Sequence, residues 1–303
     1  MTGLAAPRAL HGALTALVTP FREDGEVDLA TFKALVRWQV ESGIDGLVPC
    51  GTTGEGATLL SEEQDSLVAA AVDAAEGRVP VVAGCGTNDT RRTLELARRA
   101  AAAGADALLV VTPYYNKPNR SGLLAHDRAI CESVDRPVIV YNVPGRTGQN
   151  VGADLVLELA EIPGIAGVKE ASGSLEQIAS ILDRRRSGFA VLSGDDALAL
   201  PALALGADGL ISVVSNEAPT ETAAMVRAAL AGDFESARAM HFRLLGLMRA
   251  NFVETSPVPV KTAMALLGRC EATIRPPLGP AEPSTRQAMR AALEKAGILG
   301  ADR

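Results

Sequence analysis

Lysine is scarce in this chain. Only five of its 29 basic residues are lysines, at positions 33, 117, 169, 261 and 295, and the rest are arginines. Histidine (11, 126, 241) and cysteine (50, 85, 131, 270) are as sparse and as scattered, with no C-x-x-C pair. That pattern offers no set of metal ligands and no disulfide framework, so we expect no metal, no disulfide and no cofactor. Positive charge is short as well: the formal net charge is −7, and the longest basic run, 184–186, reads as a solvated helix end. A nucleic-acid partner would ask for a basic face, so none is expected. No apolar stretch approaches the roughly 20 residues of a membrane-spanning helix. The chain opens with one arginine and an apolar run at 9–18, but Thr19-Pro20-Phe21 and an acidic segment follow where a small-residue cleavage site would stand. We therefore expect a first strand there, and a cytoplasmic protein with no membrane partner.

What the chain does contain is a repeat. "SGIDGLV" (42–48), "AGADALLVV" (103–111) and "LGADGLISVV" (205–214) share Gly-x-Asp followed by an apolar run, and "IPGIAGVK" (162–169) is a looser copy. The glycine suits the left-handed residue that ends a helix, and the run after it suits a strand buried on both faces. Strands are expected at 13–18, 46–50, 80–84, 107–111, 138–142, 165–169, 190–193 and 209–213. Helical patterns lie between them at 29–41, 61–76, 90–103, 122–133, 153–160, 174–182 and 197–205. Eight strands alternating with helices predict an α/β fold, a (β/α)8 TIM barrel. An open doubly wound sheet is the alternative, and the Gly-x-Gly-x-x-Gly that usually marks it after an early strand is missing. Past residue 215 the pattern becomes helical only, at 221–231, 234–252, 260–267 and 284–296. We divide the chain into a catalytic barrel, 1–215, and a C-terminal helical appendage, 216–303.

Chemistry in such a barrel sits at the C-terminal ends of the strands. There the sequence reads "CGTTGEG" (50–56), "TPYYNKP" (112–118), "YNVPGRTG" (141–148), Lys169 and "SGDD" (193–196). "GTTGEG" is a Gly-rich turn whose N–H groups and hydroxyls suit an anion; it lacks the Gly-Lys-Ser/Thr of a P-loop. The Asp195-Asp196 pair reads as a helix N-cap. Lys169 ends an apolar run at 165–168, where a lysine either snorkels to solvent or is buried for a purpose. Side chains alternate along a strand, so if Lys169 points inward, Gly167 and Ile165 should too, with Gly167 leaving room beside it and Glu170 pointing away. A desolvated lysine loses its proton more readily, and the neutral amine condenses with ketones. The resulting iminium draws electrons from the neighbouring carbon, which is class I aldolase chemistry and needs no metal.

Six motifs, "GTTGEGATL", "TPYYNKP", "YNVPGRTG", "GVKEASG", "SGDD" and "FVETSPVPVK" (252–261), closely resemble the 4-hydroxy-tetrahydrodipicolinate synthase (dihydrodipicolinate synthase) family. That family belongs to the pyruvate-dependent aldolases that include N-acetylneuraminate lyase. The resemblance runs from about residue 11 to 300, in order. It implies that Lys169 forms a Schiff base with pyruvate, and that Tyr141, Thr52 and Tyr115 form a proton relay, Tyr115 entering from a neighbouring subunit. Thr53 would hold the pyruvate carboxylate, Gly194 and the Ile211 carbonyl would line the wall near the amine, and Arg146 would pair with L-aspartate 4-semialdehyde. The implied assembly is a homotetramer, a dimer of dimers, and the implied product enters lysine and diaminopimelate biosynthesis. Relatives inhibited by lysine carry histidine or glutamate on the second helix and a carboxylate on the third. Ser61, Gln64 and Arg92 stand there instead, so we expect weak or absent feedback, with Asn88 and Tyr114 as remnants of the effector site. Two other functions fit parts of the pattern: a sister lyase for N-acetylneuraminate or keto-deoxy sugar acids, and a barrel that only binds a small carboxylate. The first would not need Arg146 in its loop. The second could dispense with Lys169 or Tyr141, and both are present.

Overall fold

A computed structural model describes residues 10–300. Residues 1–9, which include the opening arginine and the start of the apolar run at 9–18, and residues 301–303 lie outside the described residues. Among the described residues the strands are β1 (Gly12–Ala16), β2 (Gly46–Val48), β3 (Val82–Gly84), β4 (Ala107–Val111), β5 (Val138–Asn142), β6 (Ile165–Glu170), β7 (Ala190–Ser193) and β8 (Gly209–Ser212). Between them run α1 (Leu29–Glu41), α2 (Ser61–Ala75), α3 (Thr90–Ala102), α4 (Arg120–Ser133), α5 (Pro144–Thr147), α6 (Ala153–Ala160), α7 (Leu175–Arg184) and α8 (Ala199–Ala204). After β8 come α9 (Pro219–Leu230), α10 (Phe234–Ala250), α11 (Val258–Leu266) and α12 (Pro283–Lys295).

All strand pairs are parallel, in the order β2-β1-β8-β7-β6-β5-β4-β3. A parallel bridge between Leu47 and Val81 joins the two ends and closes the ring. The expected (β/α)8 barrel is the observed one. The repeated Gly-x-Asp motif has a structural cause. Its glycines at 43, 104 and 206 have φ of +88°, +97° and +103°, which an L-residue would enter at a cost. Its aspartates then tie neighbouring strands together at the barrel floor: Asp45 accepts from the Ala13 N–H at 2.9 Å, Asp106 from Val81 at 2.8 Å and Asp208 from Val191 at 2.7 Å.

Two apolar layers follow from strand alternation. One lies between strands and helices; the other fills the barrel with Leu14, Val48, Val82, Leu109, Ile139, Leu192 and Ile211. Strand β6 departs from simple alternation. Val138 pairs with Ile165 but Ile139 pairs with Gly167, a one-residue shift. Ile165 therefore joins the outer layer with Val168 and does not share the face of Lys169, contrary to the expected alternation. Nor does Gly167 leave free room, because a Cβ there would lie 2.6 Å from the Ala190 carbonyl oxygen. Beyond the barrel strands, α9 packs on β1 and α10, and α12 packs on both α10 and α11. Among the described residues no helix is long and apolar enough to cross a membrane.

Candidate active site

Lys169 is the last inward-facing residue of β6, level with Tyr141 on β5 and Leu192 on β7. It is 5% exposed, and its Nζ lies 4.3 Å from the centroid of the Tyr141 ring. Burial pushes its ammonium down from the ordinary value to about 8; Asp196 opposes that fall and Arg146 adds to it. The space the side chain occupies comes from Gly194, where a Cβ would meet Lys169 Cε at 3.0 Å and the Ala171 Cβ at 2.7 Å. The next residue, Glu170, faces outward as alternation requires. It accepts from Asn142 Nδ2, the Ser172 N–H and Gln177 Nε2, so its charge is held away from the amine.

Tyr141 is also buried, and desolvation raises its phenol's pKa; Arg146 and a hydrogen bond with Thr52 pull the other way. Thr52 belongs to the turn after β2. There the Glu55 N–H donates to the Thr52 carbonyl at 3.1 Å, and the Gly56 N–H donates to Gly51 at 3.1 Å. The Thr19 hydroxyl fixes the Gly54 carbonyl at 2.7 Å. Thr53, in the same turn, is buried. Arg146 sits in the one-turn helix α5, and its Nη2 donates to the Ser256 carbonyl at 3.0 Å.

A cavity of about 400 Å³ opens above these groups. Thr52, Tyr141 and Arg146 line it, and so do Tyr114, Gln64 and Arg92. Lys169 packs on the ring of Tyr141, Gly194 packs against Lys169, and Ile211 belongs to the apolar filling of the barrel; these three and Thr53 are not among the residues that line the cavity. Tyr115 is not brought in: it is 89% exposed, with φ of +68°. Asn88 lies beside the Tyr114 loop, where its carbonyl accepts from Asn116 Nδ2 at 2.9 Å. Arg92 bridges the helices, donating to Ser61 Oγ at 2.6 Å and to Glu95 at 3.1 Å. The Asp195-Asp196 pair divides its work. Asp195 caps the turn before α8 by accepting from the Ala197 N–H at 2.9 Å. Asp196 is buried and instead accepts from the N–H groups of Val213 and Val214, both at 3.0 Å, which ties β7 to β8. Residues 255–257, which line the cavity, and the Ser256 carbonyl that receives Arg146 had no role assigned from sequence. The motif around them was visible, but a backbone acceptor leaves no sign in residue types.

Residues 9–296 match the model of the dihydrodipicolinate synthetase family. The chain belongs to that family. A curated relative named 4-hydroxy-tetrahydrodipicolinate synthase, from Koribacter versatilis (strain Ellin345), is 51% identical over 291 residues, 96% of this chain and 97% of the relative. The structure of a chloride-inhibited dihydrodipicolinate synthase from Acinetobacter baumannii, complexed with pyruvate, superposes with a TM-score of 0.94. It is 42% identical, covering 96% of this chain and 100% of the other. A family member from Cyanidioschyzon merolae with lysine bound superposes with a TM-score of 0.92 at 41% identity, over 95% of this chain and 99% of the other. Family membership at this coverage spans the barrel strands, the cavity lining and the C-terminal helices together.

Proposed function

We propose that the chain condenses pyruvate with L-aspartate 4-semialdehyde through a Schiff base on Lys169, giving 4-hydroxy-tetrahydrodipicolinate. The observation that carries this is a buried lysine with a depressed pKa, packed on a buried tyrosine beneath a cavity that holds hydroxyls and a guanidinium. The neutral amine attacks the ketone carbon of pyruvate, and loss of water leaves an iminium. Tyr141, hydrogen-bonded to Thr52, gives and takes the proton that moves in these steps. The iminium draws a proton off the pyruvate methyl group, and the enamine that forms attacks the aldehyde carbon of the second substrate. The amino group of the adduct then displaces the Lys169 nitrogen and closes the ring, which frees the enzyme.

Thr53 and the adjacent backbone N–H hold the pyruvate carboxylate. Arg146, at the exposed rim, receives the carboxylate of the semialdehyde, for which a planar fork of donors is suited. Gly194 gives the lysine its space, and the Ile211 carbonyl lies on the same wall. We place the enzyme in the cytoplasm as a homotetramer of two dimers, in which the exposed Tyr115 of each subunit completes the relay of its neighbour. The test is turnover. Pyruvate with the semialdehyde is expected to be consumed at least a hundredfold faster than N-acetylneuraminate is cleaved. Cleavage of the sugar acid without condensation would transfer the chemistry to a sister lyase.

A further inference from the structure

Position 55 carries a residue that its backbone does not favour. Glu55 has φ of +54°, in the left-handed region that glycine enters freely and other residues do not. Its side chain is also buried, 1% exposed, with Oε1 2.7 Å from the Nζ of Lys261, which is 0% exposed. A strained backbone and a buried charge at one position persist only where the surroundings over-determine them. Those surroundings come from the far end of the chain. Lys261 belongs to α11, and the second carboxylate oxygen of Glu55 accepts the Arg275 N–H at 3.0 Å. The guanidinium of Arg275 donates to both oxygens of Glu63, at 2.6 and 2.7 Å, and to the Thr58 carbonyl at 3.1 Å. Phe21 lies against both cations, its ring centroid 4.2 Å from Lys261 Nζ and 4.3 Å from Arg275 Cζ. The C-terminal segment thus grips residues 55–63 at both ends.

We propose that the Glu55–Lys261 ion pair positions the turn 51–56, so that the C-terminal helices set the enzyme's affinity for the carboxylate of its first substrate. This rests on the assignment of that turn to the pyruvate carboxylate. The rest of the turn has little freedom: Gly54 is fixed by Thr19, and Gly56 passes so close to Cys50 that no Cβ fits. Residue 55 is held through its carbonyl by the Thr58 N–H at 2.9 Å and hydroxyl at 3.0 Å, and its carboxylate is the link from the turn to the C-terminal segment. Released, residue 55 relaxes from the left-handed region and swings Thr53 and the adjacent N–H away from the carboxylate. Lys169 and Tyr141 stand on β6 and β5 and keep their places, and Thr52 is retained by its hydrogen bond with Tyr141. Lys261 is therefore a positioning residue; it lies outside the cavity lining and has no part in proton or carbon transfer.

The experiment uses the charge-free double variant Glu55→Gln/Lys261→Met in the full chain. Removing both members avoids the uncompensated buried charge that a single substitution leaves. Borohydride trapping of pyruvate on Lys169 is followed against pyruvate concentration, with thermal stability measured alongside. We expect the half-saturating pyruvate concentration to rise about tenfold or more, the loss of a charge-assisted anchor, while the limiting trapping rate falls less than about threefold. Half-saturation within twofold of wild type overturns the proposal, whatever the change in stability, because a purely structural pair moves only the melting temperature. Where the double variant does not fold, Glu55→Asp, which keeps both charges and shortens the anchor by one methylene, is read the same way. Wild-type protein that traps no pyruvate at all would instead refute the Schiff base on Lys169, and a Thr53→Val variant with unchanged half-saturation would refute the assignment of the turn, which keeps the failures apart.

Discussion

Replacing Lys169 with methionine should abolish the chemistry and make the protein more stable. The amine is 5% exposed, and burial lowers its pKa from 10.5 to about 8. One unit is worth 1.36 kcal/mol, so burying the ammonium costs about 3 kcal/mol wherever both states are protonated. The sign follows from proton counts. Below about pH 8 the folded and unfolded chains both hold the proton and the full cost is present. Between about pH 8 and 10.5 the unfolded chain holds more protons, so stability rises with pH; above that range the cost is gone. Methionine has similar length, carries no charge and packs well against an aromatic ring. Lys169→Met should therefore exceed wild type by about 2–3 kcal/mol at pH 7, a rise of several degrees in melting temperature, and the gap should shrink as the pH approaches 10. Urea unfolding and thermal melts at both pH values measure it. A variant no more stable than wild type at pH 7, or a gap that does not change with pH, would refute the idea that Lys169 is a desolvated ammonium.

Four further outcomes follow from the same geometry. Gly194→Ala places a methyl 3.0 Å from Lys169 Cε and 2.7 Å from the Ala171 Cβ. The amine must shift, and pyruvate trapping should slow by about a hundredfold in a protein that still folds; a loss of less than threefold would show that the site has slack. The wild-type trapping rate should climb about tenfold per pH unit below pH 8 and level off above it, as the neutral amine fills in, while Tyr141→Phe loses about 10²–10⁴ in turnover at every pH. L-lysine at millimolar concentration should inhibit by less than half, because an ammonium entering the cavity beside Ser61 and Gln64 would meet the guanidinium of Arg92; half-inhibition below 1 mM would contradict this.

Much of the barrel was legible because parallel strands buried on both faces leave unbroken apolar runs between turn residues, and β4, β5 and β7 fall where those runs predict. The grouping of Thr52, Tyr141, Arg146 and Lys169 followed from topology alone, since a closed barrel gathers the C-terminal ends of strands that lie far apart in sequence. The shift in β6 was not legible. Residues 165–168 are apolar or small throughout, so slipping one residue leaves the pattern unchanged. Helix α5 was hidden by its Pro-Gly start, which reads as a loop, and α10 stops at Ala250, with the buried Asn251 as its cap, where the pattern ran to 252. The Glu55–Lys261 pair joins residues that no local rule connects. Asp196 looked like a helix cap because its contacts with Val213 and Val214 lie 17 and 18 residues on, past the neighbouring strand.

The most direct test of the account is to reduce a mixture of the protein and pyruvate with borohydride and locate the added mass in the intact chain and its peptides. We predict one adduct per chain, on Lys169, equal to pyruvate less one water plus two hydrogens, and none after Lys169→Met. No adduct, or one on Lys33, Lys117, Lys261 or Lys295, would contradict the Schiff-base assignment on which the proposed reaction depends.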